Sequence, residues 1–420
     1  MMTPTAQSQS ASSRGDQGLV AAVPRINIHA FCESQQTAET FQLAAADRRM
    51  SRAHCSVQLG GIMAAVQVFQ AQATPNVLVV ESRSPREQVM AELASLAEVC
   101  QPDTKVVVVG HLNDVVLYRE LIRQGVSEYL IAPLQPFQLI ESIASLYHNP
   151  KAAPLGRVFA FVGAKGGVGS STLAHNIGWL MSKKLDAETV ITDLDLAFGT
   201  AGLNFNQDVT NGVADALGQP DRVDPTLLER LLTRLGDKLS LLSGPGGVDR
   251  DFNIESHSIE TILSALRSSV PNIIVDVPNM WAPWIKYTLL HADQVIITAT
   301  PELASLRNAR NLADLLKAGR PNDPPPKLIL NQVGVPKRPE IPAADFSKAV
   351  GLEISAIIPH DATSFGTAQS NGQMVFEVAP KSKVVEAIAG FVELLAGTDK
   401  PAKKPVRSGL LSKLPLLGRK

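Results

Sequence analysis

Short apolar runs alternate with longer amphipathic segments along most of the chain. Between residues 24 and 148 the apolar runs are RINIHAF, HCSVQL, NVLVVE, KVVVVG and SEYLIA, and segments such as SPREQVMAELASLAEVC separate them. Near-continuous apolar strands spaced by helices are typical of a parallel sheet that is covered on both faces. The pattern predicts five strands and five helices in alternation here.

The second half of the chain repeats this alternation. Its strand candidates are RVFAFVG, TVITDLD, LSLLSG, NIIVDV, QVIITAT, KLILNQV and EISAIIP, and its helix candidates include PTLLERLLTRLG and LASLRNARNLADLLKAG. This order predicts an open α/β sheet, whose ligands bind at the carboxyl ends of the strands.

Changes in composition divide the chain further. Residues 1–23 are rich in Ser, Thr, Gln and Gly and predict a disordered leader. The segment NPKAAPLG, 149–156, predicts a linker between a domain at 24–148 and a second domain at 157–396. The tail, 397–420, changes to Lys, Arg, Pro and Leu.

Charge and cysteine content exclude several classes of protein. Lys and Arg number 39 against 40 Asp and Glu, which gives no global signature of polyanion binding. Cys32, Cys55 and Cys100 lie far apart, which argues against a zinc site or a disulfide framework and favours a reducing compartment. No apolar run approaches the length of a spanning helix, so we expect a cytoplasmic protein.

The segment GAKGGVGSST, 163–172, has the glycine spacing of a phosphate-binding loop. It follows a predicted strand and precedes a predicted helix, so inward-turned N–H groups and the helix N-terminus favour an anion. The match to G-x-x-x-x-G-K-[ST] is imperfect, because Ala164 takes the first glycine position and Ser170 the lysine position. A simple tight turn is the alternative.

Several segments together carry a resemblance. KGGVGSST resembles the deviant Walker A motif of the MinD/ParA ATPases, with Lys165 as the signature lysine. VITDLDLAFGTAG, NIIVDVPNMW and ADQVIITATPELASLRNARNL resemble the segments that follow in that family, over about residues 156–396. Together with PHDATSFGTAQSNGQMVFEVAPKSK, they are most similar to the CpaE/TadZ branch, which assembles type IV (Flp/Tad) pili. That branch joins a receiver-like domain to a MinD-like P-loop domain.

The resemblance implies a role for each matching residue. ATP and Mg²⁺ are the implied cofactors, and two subunits sandwich the nucleotide, with Lys165 reaching the partner's phosphates. Asn331 would contact the base, with Pro359 and Asp361 as weaker candidates, and Asp195 would orient water. The metal site would comprise Ser171, Asp193 and Asp276; the phosphate cradle would comprise Lys165, Gly166, Gly167, Val168, Gly169, Ser170, Ser171 and Thr172. Alternatively, the aspartates are helix caps.

Serine at position 170 departs from the family pattern. The lysine ammonium normally neutralises phosphate oxygens, and stabilising developing charge is most of what a protein contributes to phosphoryl transfer. Its loss should slow hydrolysis more than it weakens binding, because backbone amides, Mg²⁺ and Lys165 remain. We therefore expect weak or absent ATPase activity and a nucleotide that acts as a dimerisation switch.

The first domain resembles response-regulator receivers, with a flavodoxin-like sheet, but lacks their chemistry. Glu81 stands where a receiver carries its phosphate-accepting aspartate, Ala132 precedes Pro133 where a lysine is expected, and Glu33 alone represents the acidic pair. Phosphorylation is not expected. The domain is either a docking and localisation module or a purely structural one.

The tail SGLLSKLPLLGRK places leucines among basic residues. Such a segment can rest weakly and reversibly on an anionic membrane, at the inner membrane or a cell pole, although Pro415 interrupts a helix there. A disordered or partner-binding tail is the alternative.

The leading prediction is an ATP-binding, dimerising assembly and localisation factor with pilus or secretion proteins as partners. A nucleotide-independent scaffold is one alternative. A ParA-like DNA-segregating ATPase is another, although it would be expected to carry a lysine at 170, and we expect no sequence-specific contact with nucleic acid.

Overall fold

A computed structural model describes residues 20–147, 155–209, 212–244 and 253–397. The predictions for the leader up to residue 19, for nearly all of the linker and for the basic tail concern residues outside these ranges. No helix within them is both long and apolar enough to cross a bilayer.

The first sheet contains five parallel strands in the order β2-β1-β3-β4-β5. This is the flavodoxin-like order of a doubly wound fold, which the resemblance to receivers implied, and the alternating pattern predicted the parallel sheet. Its strands are β1 Asn27–Cys32, β2 His54–Leu59, β3 Val77–Ser82, β4 Lys105–Gly110 and β5 Glu128–Ile131. Its helices are α1 Gln35–Ala45, α2 Gly61–Phe69, α3 Arg86–Ala97, α4 Val115–Arg123 and α5 Pro136–Ser145, with a 3-10 turn at Arg48–Met50.

The second sheet has the order β13-β12-β11-β6-β10-β7-β9-β8, parallel except for β8 at its edge. Its strands are β6 Arg157–Gly163, β7 Thr189–Asp193, β8 Thr233–Arg234, β9 Leu239–Leu242, β10 Asn272–Val277, β11 Gln294–Ala299, β12 Lys327–Val333 and β13 Ile354–Pro359. Its helices are α6 Ser170–Lys184, α7 Ala201–Asn204, α8 Val213–Gly218, α9 Pro225–Leu231, α10 Ser256–Ser269, α11 Pro283–His291, α12 Leu303–Gly319, α13 Ala343–Val350, α14 Ala362–Asn371, α15 Val375–Val378 and α16 Lys383–Leu395, with a 3-10 turn at Pro220–Arg222.

Strand β6 lies at the centre of the second sheet and is buried on both faces. Val158, Ala160 and Val162 pack into one core, whereas Phe159 and Phe161 pack into the core on the opposite face. Successive side chains of a strand point to opposite faces, so a continuous apolar run is what a doubly covered strand needs. The predicted α/β fold class is confirmed.

The segment PTLLERLLTRLG differs from its predicted structure. Helix α9 ends at Leu231, and Leu232 is already extended with a ψ of 123°. Thr233 and Arg234 then pair antiparallel with β9, and Leu235 N–H donates to the Leu239 carbonyl. The spacing of leucines in this segment does not distinguish a helix from a short edge strand. The β-branched Thr233 favours the strand.

Ion pairs join the two sheet units. Arg48 Nε lies 2.8 Å from Asp323 Oδ2, and Arg49 also contacts Asp323. Asp323 follows α12 on the second unit, and Arg320 Nε lies 3.0 Å from the same carboxylate. These charges meet near the amino ends of β11 and β12, at the sheet edge opposite the carboxyl ends of the strands.

Candidate functional site

The glycine loop connects the end of β6 to the start of α6 and requires glycine at two points. Gly167 and Gly169 have φ values of +78° and +84°, in the left-handed region that L side chains rarely adopt. Gly169 is the N-cap of α6, so the unsatisfied N–H groups of the first turn open toward the loop. The local geometry is that of an anion-binding turn.

Space for an anion lies on one side of this loop. A Cβ built on Gly167 would meet no described atom within 4 Å, and one on Gly166 would approach nothing closer than Asn279 Oδ1, at 3.9 Å. A Cβ on Gly169 would instead approach Asn331 Nδ2 at 2.6 Å. The loop is therefore open along Gly166 and Gly167 and tightly packed at Gly169.

Four amide side chains hold the loop from outside. Each donates from its side-chain nitrogen to a carbonyl of residues 163–168, and the donors come from β12, α12 and the segment after β10. The pairs are Asn331 to Val168 at 2.8 Å, Gln332 to Gly167 at 3.0 Å, Asn279 to Gly163 at 2.9 Å and Asn308 to Ala164 at 2.8 Å. Because these donors hold carbonyl oxygens, they favour a loop whose N–H groups face the open side.

Among these four donors, only Asn331 was singled out from the sequence, as a residue for the base. Its observed contact is with the loop, and contact with a base stays a prediction. Isolated Asn and Gln residues give no sequence signal for a bracing role, because their partners depend on the order of the strands.

The Lys165 side chain forms an ion pair with a carboxylate of its own chain. Its Nζ lies 3.2 Å from Glu302 Oε2, and both side chains are about one-third exposed, at 34% and 32%. Arg338 Nη1 lies 3.3 Å from the other Glu302 oxygen. The predicted signature lysine is thus held in an exposed ion pair at the edge of the site.

Two of the predicted metal ligands end neighbouring strands. Asp193 of β7 and Asp276 of β10 are register partners, and both are buried. Asp193 accepts hydrogen bonds from Asp195 N–H at 3.0 Å and Ala201 N–H at 3.2 Å. The Ser171 side chain lies near Asp276 and acts to lower the Asp276 pKa. The strand order thus brings Asp193 and Asp276 together. A metal-binding role for them and for Ser171 stays a prediction.

Burial determines the protonation of this carboxylate pair. Desolvation raises the pKa of Asp276 well above its ordinary value, and the Asp193 charge raises it further. The pKa of Asp193 is raised to about 6, mainly by burial, although N–H groups of Asp195 and Ala201 oppose the shift. A cation between them would favour the ionised forms.

Several buried polar atoms at this point lack a hydrogen-bond partner among the described residues: Ser170 Oγ, Asp276 Oδ1 and His175 Nε2. Buried polar groups are normally paired, and unpaired ones are costly. The site therefore fits a bound dication, with hard carboxylate oxygens as ligands. His175 was not predicted, because one polar residue inside a helix gives no signal of its surroundings.

Asp195 lies on the loop after β7 and is half-buried. Its Oδ1 accepts a hydrogen bond from Phe198 N–H at 3.0 Å, which stabilises the turn leading to α7. This contact belongs to the turn and does not cap α7, whose N-cap residue is Thr200. The water-orienting role of Asp195 stays a prediction.

A cavity of about 480 Å³ adjoins the loop on the side of α12. Lys165, Asn279, Trp281, Asn308 and Leu312 are among its lining residues, and Trp281 is 59% exposed. The cavity extends the open face of the loop into a partly apolar surface.

Glu81, at the end of β3 in the first sheet, is fully engaged. Its carboxylate accepts from the N–H groups of Glu33 and Ser34, each at 2.8 Å, and from Thr37 Oγ1 at 2.9 Å. His111 Nε2 lies 3.0 Å away. Burial acts to raise the Glu81 pKa, but the hydrogen bonds from Ser34, His111 and Thr37 outweigh it and lower the pKa. A fixed carboxylate therefore occupies the position of the phosphate-accepting residue.

Comparison with known proteins identifies two kinds of relative, CpaE pilus assembly proteins and ATPases of the MinD/ParA type. A crystal structure of the pilus assembly protein CpaE from Caulobacter crescentus is 52% identical, covering 31% of this chain and 98% of its own, with a TM-score of 0.30. A ParA family ATPase from Chlorobium tepidum is 30% identical, covering 57% of this chain and 98% of its own, with a TM-score of 0.51.

Among curated proteins, the septum site-determining protein MinD of Helicobacter pylori is 24% identical over 222 residues, which are 49% of this chain and 78% of that protein. No protein-family model matches the chain.

Proposed function

Because the chain belongs to the CpaE/TadZ-type proteins of the MinD/ParA-like family, we propose that it binds ATP, dimerises on the nucleotide and serves pilus assembly as a localisation factor. The observation that carries this proposal is the open, glycine-lined loop at the carboxyl end of β6, beside two buried carboxylates. Turnover of ATP is slow or negligible in this proposal.

The phosphates bind along the open side of residues 165–172. Backbone N–H groups of the loop and of the first turn of α6 donate to them, and the helix dipole adds a favourable field. The supporting observation is that the loop carbonyls are held by side-chain amides from Asn279, Asn308, Asn331 and Gln332. Such bracing fixes the loop before the ligand arrives and lowers the entropy cost of binding.

Ser171, Asp193 and Asp276 would hold Mg²⁺, which supplies positive charge to the phosphate oxygens when bound. In this arrangement Asp276 would orient the nearby Ser171 hydroxyl. Asp193 is itself oriented by two backbone N–H groups. The raised pKa values of the two carboxyls support cation binding as the event that ionises both.

Slow hydrolysis follows from Ser170. Its side chain is the first of α6, and its short hydroxyl replaces an ammonium that would neutralise charge developing in the transition state. ATP in its ground state is still bound by the N–H groups of the loop. The loss of the lysine therefore lowers the rate of hydrolysis more than it lowers the affinity for ATP. In the proposed dimer, Lys165 leaves Glu302 and supplies its ammonium to the partner's phosphates, which couples nucleotide binding to association.

The proposed partners are pilus or secretion assembly proteins, and the proposed location is the cytoplasm, at the inner membrane or a cell pole. The first sheet unit would serve as a docking module, since Glu81 is already saturated with hydrogen bonds.

A nucleotide-independent scaffold is the second candidate, and Ser170 is the observation that favours it. In that function the loop is a braced turn without a ligand, and dimerisation does not depend on ATP.

Calorimetric titration of the full chain with ATP and Mg²⁺, with mass photometry in parallel, tests the proposal. We expect binding of ATP and a rise in the dimer fraction, both weakened by Lys165→Ala but not by Lys348→Ala, a matched change at an exposed helical lysine. Ser170→Lys should raise hydrolysis. Absence of both binding and association at millimolar ATP would favour the scaffold.

A further inference from the structure

His175 is a fully buried histidine on α6, one helical turn after Ser171. Residues four apart on a helix share a face, so the imidazole and the Ser171 hydroxyl point toward the same strands, β7 and β10. One ligand atom of His175, one of Asp193 and one of Asp276 all lie within 4.8 Å of one another. The His175 imidazole and the two carboxylates therefore form a cluster of three potential metal ligands.

The separation between two of these atoms suits shared coordination better than a direct hydrogen bond. His175 Nε2 and Asp276 Oδ2 are 3.5 Å apart, and Nε2 has no hydrogen-bond partner among the described residues. Two ligands at about 2.1 Å from one cation in tetrahedral geometry lie roughly 3.4 Å from each other. Asp276 Oδ1 is also buried without a partner in the described part of the chain, so a cation would satisfy both groups.

The far side of the ring is supported by Asn204. Asn204 Nδ2 lies 2.9 Å from His175 Nδ1 and 3.3 Å from Thr200 Oγ1. Rotation of the amide by 180° brings its oxygen to the same point, where it accepts from Nδ1–H, and the Thr200 hydroxyl partners either orientation. In the orientation that the structure shows, Asn204 Nδ2 donates to His175 Nδ1, and the ring hydrogen lies on Nε2. A metal at Nε2 requires the rotated amide, which leaves Nε2 free of hydrogen and facing the carboxylates.

We propose that His175, Asp193 and Asp276 form a binding site for a first-row divalent transition-metal ion, which the protein holds without nucleotide and more tightly than Mg²⁺. A nitrogen ligand favours such ions, whereas Mg²⁺ prefers oxygen ligands and retains its waters. The inference rests on the carboxylates that the proposed function gives to Mg²⁺, and it assigns them a different class of cation. Because Asp276 lies near Ser171, in the first turn of α6, the ion would bring two positive charges close to the loop that lacks its lysine.

Titration of the EDTA-treated full chain with Mn²⁺, followed by electron paramagnetic resonance and without nucleotide, tests this site. We expect one bound Mn²⁺ per chain, displaced by Mg²⁺ only at tenfold or higher concentration. Pulsed measurements should detect a nitrogen nucleus coupled to the bound ion. His175→Gln should remove the coupling and weaken binding at least tenfold, while His257→Gln, which alters an exposed histidine, should change neither.

Three results would overturn the inference: no bound Mn²⁺ without nucleotide, bound Mn²⁺ without nitrogen coupling, or unchanged affinity in His175→Gln. Nitrogen coupling in the wild type decides the matter even where the variant fails to fold. ATP binding is measured separately, so a chain that takes Mn²⁺ but ignores ATP would contradict the proposed function and leave the metal site standing.

Discussion

Lys165 Nζ and Glu302 Oε2 form an ion pair of 3.2 Å within one chain. In the proposed dimer this lysine serves the partner's phosphates, so the pair has to separate first. Both side chains are about one-third exposed, and pairs of this kind contribute less than about 1 kcal/mol. The ion pair therefore opposes dimerisation weakly.

Glu302→Gln should remove this opposition to dimerisation. The amide keeps the shape of the side chain but removes its charge, so we expect ATP-dependent dimerisation to strengthen by up to about fivefold. Analytical ultracentrifugation with ATP and Mg²⁺ measures the change. Glu229→Gln, which removes an exposed ion pair with Arg234 elsewhere, is the control. Equal dimerisation constants for Glu302→Gln and the wild type would contradict the role given to this pair.

Replacement of the two left-handed glycines separates backbone strain from packing. Gly167→Ala introduces a side chain at φ +78° into open space, so we expect only the backbone cost of about 1–2 kcal/mol. Gly169→Ala adds a clash with Asn331 Nδ2 at 2.6 Å, so it should be more destabilising and should also detach Asn331 from Val168. Urea unfolding of both variants measures the difference. Equal losses of unfolding free energy would show that the Asn331 side chain moves away from Gly169 at no energetic cost.

Glu81 offers a similar comparison in the first sheet. Glu81→Ala leaves the donors of Glu33, Ser34 and Thr37 buried without an acceptor, and we expect a loss of at least about 1–3 kcal/mol in unfolding free energy. Glu81→Gln should cost less, because its amide oxygen can accept both backbone N–H groups and hydroxyls can accept from its nitrogen. Chemical denaturation distinguishes the two. An alanine variant as stable as the glutamine variant would mean that water replaces the carboxylate.

Much of the fold was accessible from the sequence because doubly covered strands read as apolar runs. The run RVFAFVG coincides with β6, and LASLRNARNLADLLKAG coincides with α12. The short β8 was missed, since two residues carry no period and pair only because β9 lies beside them.

The candidate site was predictable where its residues belong to a local motif, as with the glycines and Ser171. Asp193 and Asp276 were identified as strand-end acids, but their pairing in register follows from the strand order, which the sequence does not contain. His175 and Glu302 were missed for the same reason, because the residue that each contacts at the site is at least 100 positions away in the sequence.

The contact between the two sheet units should depend on pH through Asp323. Burial alone would raise the pKa of this carboxyl, but the hydrogen bond and charge of Arg48, with the charges of Arg320 and Arg49, outweigh it and lower the pKa to about 2. A folded pKa below the ordinary 3.8 means that Asp323 contributes stability above pH 4, about 2 kcal/mol, which is lost as pH falls toward 2. Asp323→Asn should therefore lower unfolding free energy at pH 7 and flatten its pH dependence between 4 and 2. Thermal unfolding across this range, with the exposed Asp103→Asn as control, measures the effect; parallel pH profiles for Asp323→Asn and the wild type would contradict it.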